Sequence, residues 1–276
     1  MTTVLLATSR DWPEGEPGHE ALDAALAARG IDARWAVWDD ASVDWAGAGL
    51  VAVRSTWDYV ARHEEFLAWV HAVEPTTTVL NGADVFAWNL DKGYLARLGD
   101  VPVVPTRLVT SADDVEAAVA DFGDVVVKPR VGAGGIGVTV VRRGDAISLP
   151  AVPVVAQPLV ETVHTDGETS VFVIDGRAVS MVNKVPADGE IRVHEQFGGR
   201  TTEIALSRPE SVLAVDALLA AADFAGRPLD YGRVDLLRYD GGWRVSELEV
   251  TEPGLYLDVL PANADPFADL VASRLR

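Results

Sequence analysis

Six residues near the middle of the chain, Gly132-Ala133-Gly134-Gly135-Ile136-Gly137, restrict the fold more than any other stretch. They satisfy G-x-G-x-x-G and follow a strand-like run, Val125-Val126-Val127-Lys128-Pro129. In a dinucleotide fold the third glycine opens a helix whose N-terminus binds pyrophosphate. Here the chain continues Val138-Thr139-Val140-Val141, β-branched and without a capping residue, so the loop is expected to join two strands. Position 157, where a ribose-binding acid would stand, is Gln157, and no G-K-[S/T] follows any glycine run. A glycine hairpin tip can still hold phosphate, because glycine permits positive φ and close approach of several backbone N–H groups to one anion.

The remaining pattern falls into parts. Over the first 80 or so residues strands alternate with helices: strands at Val4–Ala7, Ala33–Val37 and Leu50–Arg54, helices at His19–Arg29 and Ala61–Val73, and a stop at Asn81-Gly82. That alternation implies a parallel α/β sheet. Beyond it a short helix is expected over Asp91–Leu98, a linker over Val101–Pro105, and a helix capped by Ser111 through about Ala120, with Asp113 and Asp114 in its first turn. Strands then come in pairs. Asp124–Pro129 leads to Val138–Val141, and Val154–Gln157 follows. Ser170–Ile174 turns at Asp175-Gly176 into Arg177–Asn183, and Val234–Tyr239 turns at Asp240-Gly241-Gly242 into Trp243–Val250. Helices are expected at Pro209–Phe224 and Phe267–Arg276. The reading is an α/β N-terminal domain (1–84) followed by two α+β lobes, a smaller (85–156) and a larger (157–276).

The charge balance, 23 Lys+Arg against 42 Asp+Glu for a net −19, opposes binding to nucleic acid or anionic membranes. No apolar run reaches the roughly 20 residues of a spanning helix, Met1–Ala7 lacks the basic segment of a signal peptide, and there is no cysteine for a disulfide, thiolate site or nucleophile. A cytoplasmic protein is expected. Only Lys92, Lys128 and Lys184 among the basic residues are lysines, and phosphate neutralisation is a task for which a compact ammonium suits better than a planar guanidinium. Lys128 ends a buried-looking strand, where it meets an anion or snorkels to water. Asp235 lies among apolar neighbours on one strand, and Glu247 and Glu249, two apart on its hairpin partner, share a face. Three carboxylates on one sheet face either ligate a cation, for which Mg²⁺ is the natural choice, or form a solvated acidic surface. At the end of an early strand, Arg54 can clamp a substrate carboxylate with Ser55 nearby and Asp58 pairing an ammonium; a buried Arg54–Asp58 pair is the other reading.

Taken together, residues 85 to 260 resemble the ATP-grasp superfamily, in its glutathione-synthetase-like and RimK-like branch. Trp88-Asn89-Leu90-Asp91-Lys92 and Val127-Lys128-Pro129 look like the two nucleotide lysines, and the glycine hairpin, with Gly134 and Gly135, like the phosphate-covering loop. Val155-Ala156-Gln157-Pro158-Leu159-Val160 is similar to the hinge whose backbone meets adenine, and Asp166-Gly167-Glu168 to the ribose-binding acid position. Asn183-Lys184 and Arg192 fall where the family places cations near the β- and γ-phosphates. The usual closing motif is E-x-N, two residues, then Pro-Gly. Here Glu247-Leu248-Glu249 is followed by Val250-Thr251-Glu252 before Pro253-Gly254, with Glu for Asn and one residue extra. Arg54-Ser55-Thr56-Trp57-Asp58-Tyr59 is similar to a signature of ATP-grasp proteins of the O-ureido-D-serine cyclo-ligase type, from cycloserine biosynthesis.

What the resemblance implies is an ATP-grasp fold: a parallel N-terminal domain and two lobes clamping ATP with Mg²⁺, for which Mn²⁺ can substitute. The expected reaction is ATP-dependent ligation of a small amino-acid-like carboxylate to an amine, or its cyclisation, through an acyl phosphate, giving ADP and phosphate. Lys184 and Arg192 are the expected catalytic groups, with Lys92, Lys128, Gly134, Gly135, Gln157, Pro158, Leu159, Glu168 and Lys184 on nucleotide. Asp235, Glu247 and Glu249 are expected on metal, and Arg54, Ser55, Asp58 and Arg192 on the organic substrate. A small-molecule partner is expected, with assembly into a homodimer or larger homo-oligomer. The alternatives are a non-catalytic ATP-binding regulator and an NAD(P)-dependent dehydrogenase. His194, two residues after Arg192, has no assigned role.

Overall fold

The computed structural model describes residues 3–148 and 152–275. The chain opens with β1 (Thr3–Thr8), α1 (His19–Ala28), β2 (Asp32–Val37), β3 (Leu50–Ser55), α2 (His63–Val73) and β4 (Thr78–Val79). The four strands form a parallel sheet in the order β2-β1-β3-β4, the arrangement that strand–helix alternation dictates. Apolar residues fill β1 and β3 without alternation, because both faces are covered. Val4, Leu6, Leu50 and Ala52 pack on one side, and Leu5, Ala7, Val51 and Val53 on the other.

A short helix, α3 (Ala83–Asn89), and a 3₁₀ turn, Lys92–Arg97, replace the single helix expected over Asp91–Leu98. Asp91 starts the turn by accepting from the Gly93 N–H at 2.9 Å. The small sheet follows: β5 (Arg107–Val109), α4 (Ala112–Phe122), β6 (Val125–Pro129), β7 (Thr139–Val141) and β8 (Val154–Pro158), antiparallel in the order β5-β8-β6-β7. Ser111 and Asp114 close a reciprocal capping box on α4. The glycine loop joins two antiparallel strands, Val127 pairing with Thr139, so no helix N-terminus stands behind it. The 156/157 division falls inside β8. Val101–Pro105 is not a free linker: Val104 N–H donates to Val245 and Val245 N–H to Pro102, both at 2.9 Å.

The large sheet comprises β9 (Glu168–Ile174), β10 (Arg177–Val185) and β11 (Arg200–Ile204). After α5 (Arg208–Ala225) it adds β12 (Tyr231–Tyr239) and β13 (Gly242–Glu249), for an order β11-β10-β9-β12-β13. Its strands alternate as a two-faced sheet requires. Val171, Val173, Val234, Leu236 and Leu248 face α5. Phe172, Ile174, Val182 and Tyr231 face the N-terminal sheet and α6 (Ala264–Arg274), with Phe267 and Leu6 in the same cluster. The C-terminal helix thus covers the first sheet, packing on α1; its expected end at Arg276 lies outside the described residues. No helix among the described residues is long and apolar enough to cross a membrane.

Asn81 ties these parts together. It is fully buried in the left-handed region at φ 62. Its amide donates to the Tyr231 and Val250 carbonyls at 2.8 and 2.7 Å, and its oxygen accepts from Asp230 N–H at 2.7 Å. Asn81→Ala strands three buried backbone groups and keeps a side chain at positive φ. A destabilisation of about 3 kcal/mol or more is expected in urea unfolding.

Candidate active site

The acidic strands of the large sheet face away from α5, toward the small sheet. Asp235 pairs in register with Glu247, and Arg233 with Glu249. The register then shifts by one between Asp235 and Leu236, leaving Ser246 in a bulge, where its hydroxyl donates to the Asp235 carbonyl at 3.0 Å. Bulges re-aim side chains beside sites, and this one keeps Glu247 and Glu249 on the cleft face.

The acids are neutralised by side chains. Arg233 holds Asp235 with two 3.0 Å hydrogen bonds and pairs with Glu249. Asp235 also accepts from Ser170 Oγ at 2.5 Å and lies 3.3 Å from Lys184 Nζ. Burial works against its ionisation, but Arg233 and Lys184 outweigh it and push its pKa far down. Asp235, expected from spacing as a metal ligand, is thus the most fully paired of the three acids. Among the described residues no three His, Cys, Asp or Glu side chains form a metal-binding group. Glu247 and Glu249 are different. They leave 26% and 25% of their side-chain surface open. Burial lifts Glu249 to about 8, with Asp235, Glu247 and Glu252 adding to the effect against Arg233. Each of the two has one cationic partner, Lys92 for Glu247 and Arg233 for Glu249, and keeps open oxygen surface of the kind a divalent cation takes.

The three lysines converge on this face and differ in what they touch. Lys184 Nζ sits 2.7 Å from Glu168 and 3.3 Å from Asp235, only 3% of the residue exposed. Burial lowers its pKa, but the two acids raise it more. Glu168, expected at the ribose, is thus engaged by Lys184 and by Ser246 at 3.2 Å. Lys92 Nζ bridges Glu247 at 2.8 Å and the Gly132 carbonyl at 2.6 Å, clasping the glycine loop to β13. Lys128 makes no hydrogen bond or ion pair among the described residues. Burial without a partner lowers its pKa, Glu247 and Glu168 offsetting only in part.

The loop itself turns at Gly134, Gly135 and Gly137, with φ of 59, 71 and 75, conformations that favour glycine. It rests on the segment after β10. Gln196 Nε2 donates to the Gly134 carbonyl at 2.6 Å, and a Cβ on Gly135 would lie 3.4 Å from Arg192. Arg192 pairs with Glu190, Nε to Oε1 2.9 Å, and stacks 3.5 Å over Phe197. The Arg192 hydrogen bond holds Glu190 down to about 2. His194 is drawn below its usual value by burial, then by Lys184 and Arg233. At the hinge, Gln157 is buried and donates to Thr106 Oγ1 at 2.9 Å, and the Leu159 N–H after Pro158 donates to the Asp124 carbonyl at 2.8 Å.

The expected substrate trio is not assembled. Arg54 is 0% exposed, ion-paired to buried Glu16, donating to the Pro253 carbonyl at 2.9 Å, and stacked against Tyr231 and Phe267. Ser55 Oγ meets Thr8 Oγ1 at 2.7 Å. Asp58 takes Arg62 at 2.5 Å and the Trp38 indole at 2.9 Å, so the alternative Arg54–Asp58 pair is absent too. A lone arginine among apolar strand residues drew the binding reading; its partner lies 38 positions away in an irregular loop. Reading by motif also passed over Arg233 and Tyr59. Arg233 was open to detection, since it stands two before Asp235 and so on the same face. Tyr59 carries no such signal. It lines a cavity of about 20 Å³ with Lys92, Gly132, Glu247, Glu249 and Glu252.

Comparison with known proteins finds relatives over both the N-terminal and the later parts of the chain. A family model described as the N-terminal domain of D-cycloserine synthetase DcsG matches residues 4–81, and one described as the ATP-grasp domain of prokaryotic glutathione synthetase matches 94–220. The cycloserine biosynthesis protein DcsG of Streptomyces lavendulae is 34% identical over 273 residues, 90% of each chain. A glutathione synthetase of Parasynechococcus marenigrum is 31% identical over 184 residues, 63% of this chain and 57% of its own. The crystal structure of D-cycloserine synthetase DcsG superposes with a TM-score of 0.89 at 30% identity, covering 99% of this chain and all of that one. A D-alanine–D-alanine ligase of Bacillus anthracis shares the fold alone, with a TM-score of 0.65 at 13% identity over 98% and 95% of the two chains.

Two outcomes follow from the electrostatics. Arg54→Ala leaves Glu16 buried and unpaired, so urea unfolding is expected to show a loss of about 3–5 kcal/mol. Glu249, raised from 4.5 to about 8 on folding, resists deprotonation in the folded state. Its contribution to stability is therefore present below about 4.5 and lost as pH rises toward 8. Glu249→Gln is expected to raise the metal-free melting temperature, and more at pH 8.5 than at pH 5.5.

Proposed function

The chain belongs to the ATP-grasp superfamily, among its glutathione-synthetase-like ligases, and from that premise we propose that it phosphorylates a small amino-acid-like carboxylate and captures the product with an amine. The observation that carries the proposal is Lys128, a half-buried ammonium left without an anion among the described residues, beside an otherwise paired cluster. Burial of an unpaired charge is costly, and a nucleotide phosphate arriving between the sheets removes that cost.

The proposed division of labour follows from what each group already touches. Lys128, Lys92 and the N–H groups of the loop around Gly134 and Gly135 receive the phosphates, and the hinge at Gln157–Leu159 receives adenine. Glu247 and Glu249 hold Mg²⁺ or Mn²⁺, which supplies neutralisation of phosphate charge. Lys184 stays protonated between Asp235 and Glu168, a fixed positive charge for developing phosphoryl oxygens. Arg192 joins it on exchanging Glu190 for phosphate. The substrate carboxylate oxygen attacks the γ-phosphorus, the bond from that phosphorus to the β-phosphate oxygen breaks, and ADP leaves. The amine nitrogen then attacks the acyl carbon, phosphate departs with the carbon–oxygen pair, and the nitrogen releases its proton. The glycine loop, resting on Gln196, keeps water from the acyl phosphate. Similarity over 90% of its length to a cycloserine biosynthesis protein supports the cyclising version, in which the attacking nitrogen, such as the oxygen-bound ureido N–H of O-ureido-D-serine, and the carboxylate belong to one molecule.

Incubation with ATP–Mg²⁺, hydroxylamine and a panel of amino-acid carboxylates including O-ureido-D-serine is expected to yield hydroxamate and ADP. AMP with pyrophosphate would refute the acyl-phosphate route. Lys128→Ala is expected to weaken ATP binding by roughly 10- to 100-fold in calorimetric titration.

A further inference from the structure

The residue that lengthens the closing motif, Glu252, has no part in the chemistry above, yet it is 5% exposed and lines the same small cavity as Glu247, Glu249 and Lys92. Its loop is fastened to the N-terminal sheet on three sides. Trp57 Nε1 donates to the Glu252 carbonyl at 3.2 Å, Arg54 to the Pro253 carbonyl at 2.9 Å, and Leu255 N–H to Glu16 at 2.7 Å. The carboxyl is thereby held where the N-terminal sheet meets the acidic strands. The phenol of Tyr59, itself 5% exposed, lines the same cavity and draws the Glu252 pKa down against burial.

Every cation near it is engaged elsewhere: Arg54 with Glu16, Lys92 with Glu247, Arg233 with Asp235 and Glu249. A carboxylate buried this deeply without a cation of its own is unfavourable. Burial lifts its pKa to about 6 against the opposing pull of Tyr59, Lys92 and Arg233. Of the three carboxylates lining the cavity, Glu247 is answered by Lys92 and Glu249 by Arg233, so Glu252 is the one left to meet an incoming cation. The cavity's volume of about 20 Å³ admits a group the size of one water. An ammonium is that size. A phenol that gives its proton to Glu252 keeps a lone pair to accept a second N–H.

We propose that Glu252 and Tyr59 form the subsite for the amino group of the organic substrate, beside the phosphoryl-transfer site. The inference rests on the ligase reading and narrows its substrate class to carboxylates that carry a primary amine.

The test compares wild type, Glu252→Gln, Glu252→Asp and Tyr59→Phe. Each is assayed for ADP release with O-ureido-D-serine, with free amino acids, and with the deamino counterpart of each. Glu252→Gln is expected to raise KM for amino substrates by roughly 10- to 100-fold, with Glu252→Asp recovering part of the loss. KM for deamino acids, ATP affinity and the Mg²⁺ requirement should stay unchanged, the unaltered ATP affinity showing that the variant folds. Equal losses on amino and deamino substrates, or a raised Mg²⁺ requirement that makes Glu252 a metal ligand, would overturn the subsite. Wild type releasing ADP with deamino acids but not amino acids would overturn it while leaving the ligase reading intact. No ADP from wild type with any carboxylate would sink the ligase reading, and the subsite with it.

Discussion

Arg233 is the cation on which the active face depends. Asp235, Glu247 and Glu249 project from neighbouring strands into a partly dry cleft, where like charges a few ångströms apart cannot all ionise unaided. A planar guanidinium resolves this because it can grip Asp235 with two parallel hydrogen bonds and still reach Glu249. Lys184 completes the neutralisation of Asp235 from β10, on the far side of β9. What remains undercompensated is Glu249 and, further out, Glu252. The cleft is therefore poised rather than balanced: anionic where the closing motif lies, cationic at Lys128.

The second constraint is the seam between the first sheet and the loop after β13. Arg54 and Glu16 are both buried there, and each also binds the backbone of that loop. A buried ion pair adds little net stability but enforces geometry, since removing either partner strands a charge. The N-terminal sheet and the large sheet are held in fixed relation by this pair and by Asn81, in addition to their shared apolar cluster. Rigid placement at the few-tenths-of-an-ångström level is what a reaction based on alignment requires.

Much of the fold was legible in local sequence. Strand–helix alternation marked the parallel sheet, Asp-Gly turns marked two hairpins, and β-branched residues after the glycine loop excluded a pyrophosphate helix. The strands β4, β5 and β11 were not legible, because Thr78-Val79, Arg107-Leu108-Val109 and Arg200-Thr201-Thr202-Glu203-Ile204 lack the unbroken apolar run that marked β6, β7 and β8. The Val101–Pro105 segment looked like a linker, since its pairing with Val245 depends on a strand more than 140 positions later. Local pattern marked the lysines and acids as candidates but not their partners: Arg54 pairs with Glu16, and Asp235 with Arg233 and Lys184.

By itself the sequence determined which side chains were available for the chemistry, and, through local pattern, which elements would carry them: scarce lysines, a glycine hairpin and two glutamates sharing a strand face. Only the tertiary structure decided which charges cancel. Lys128 is left open while Lys92 and Lys184 are paired, Arg54 is spent inside the fold, and Glu252 is carried into the cleft. Periodicity follows from bonds between near neighbours, but charge pairing is set by distances across strands and loops far apart in the chain, and burial magnifies each such pairing.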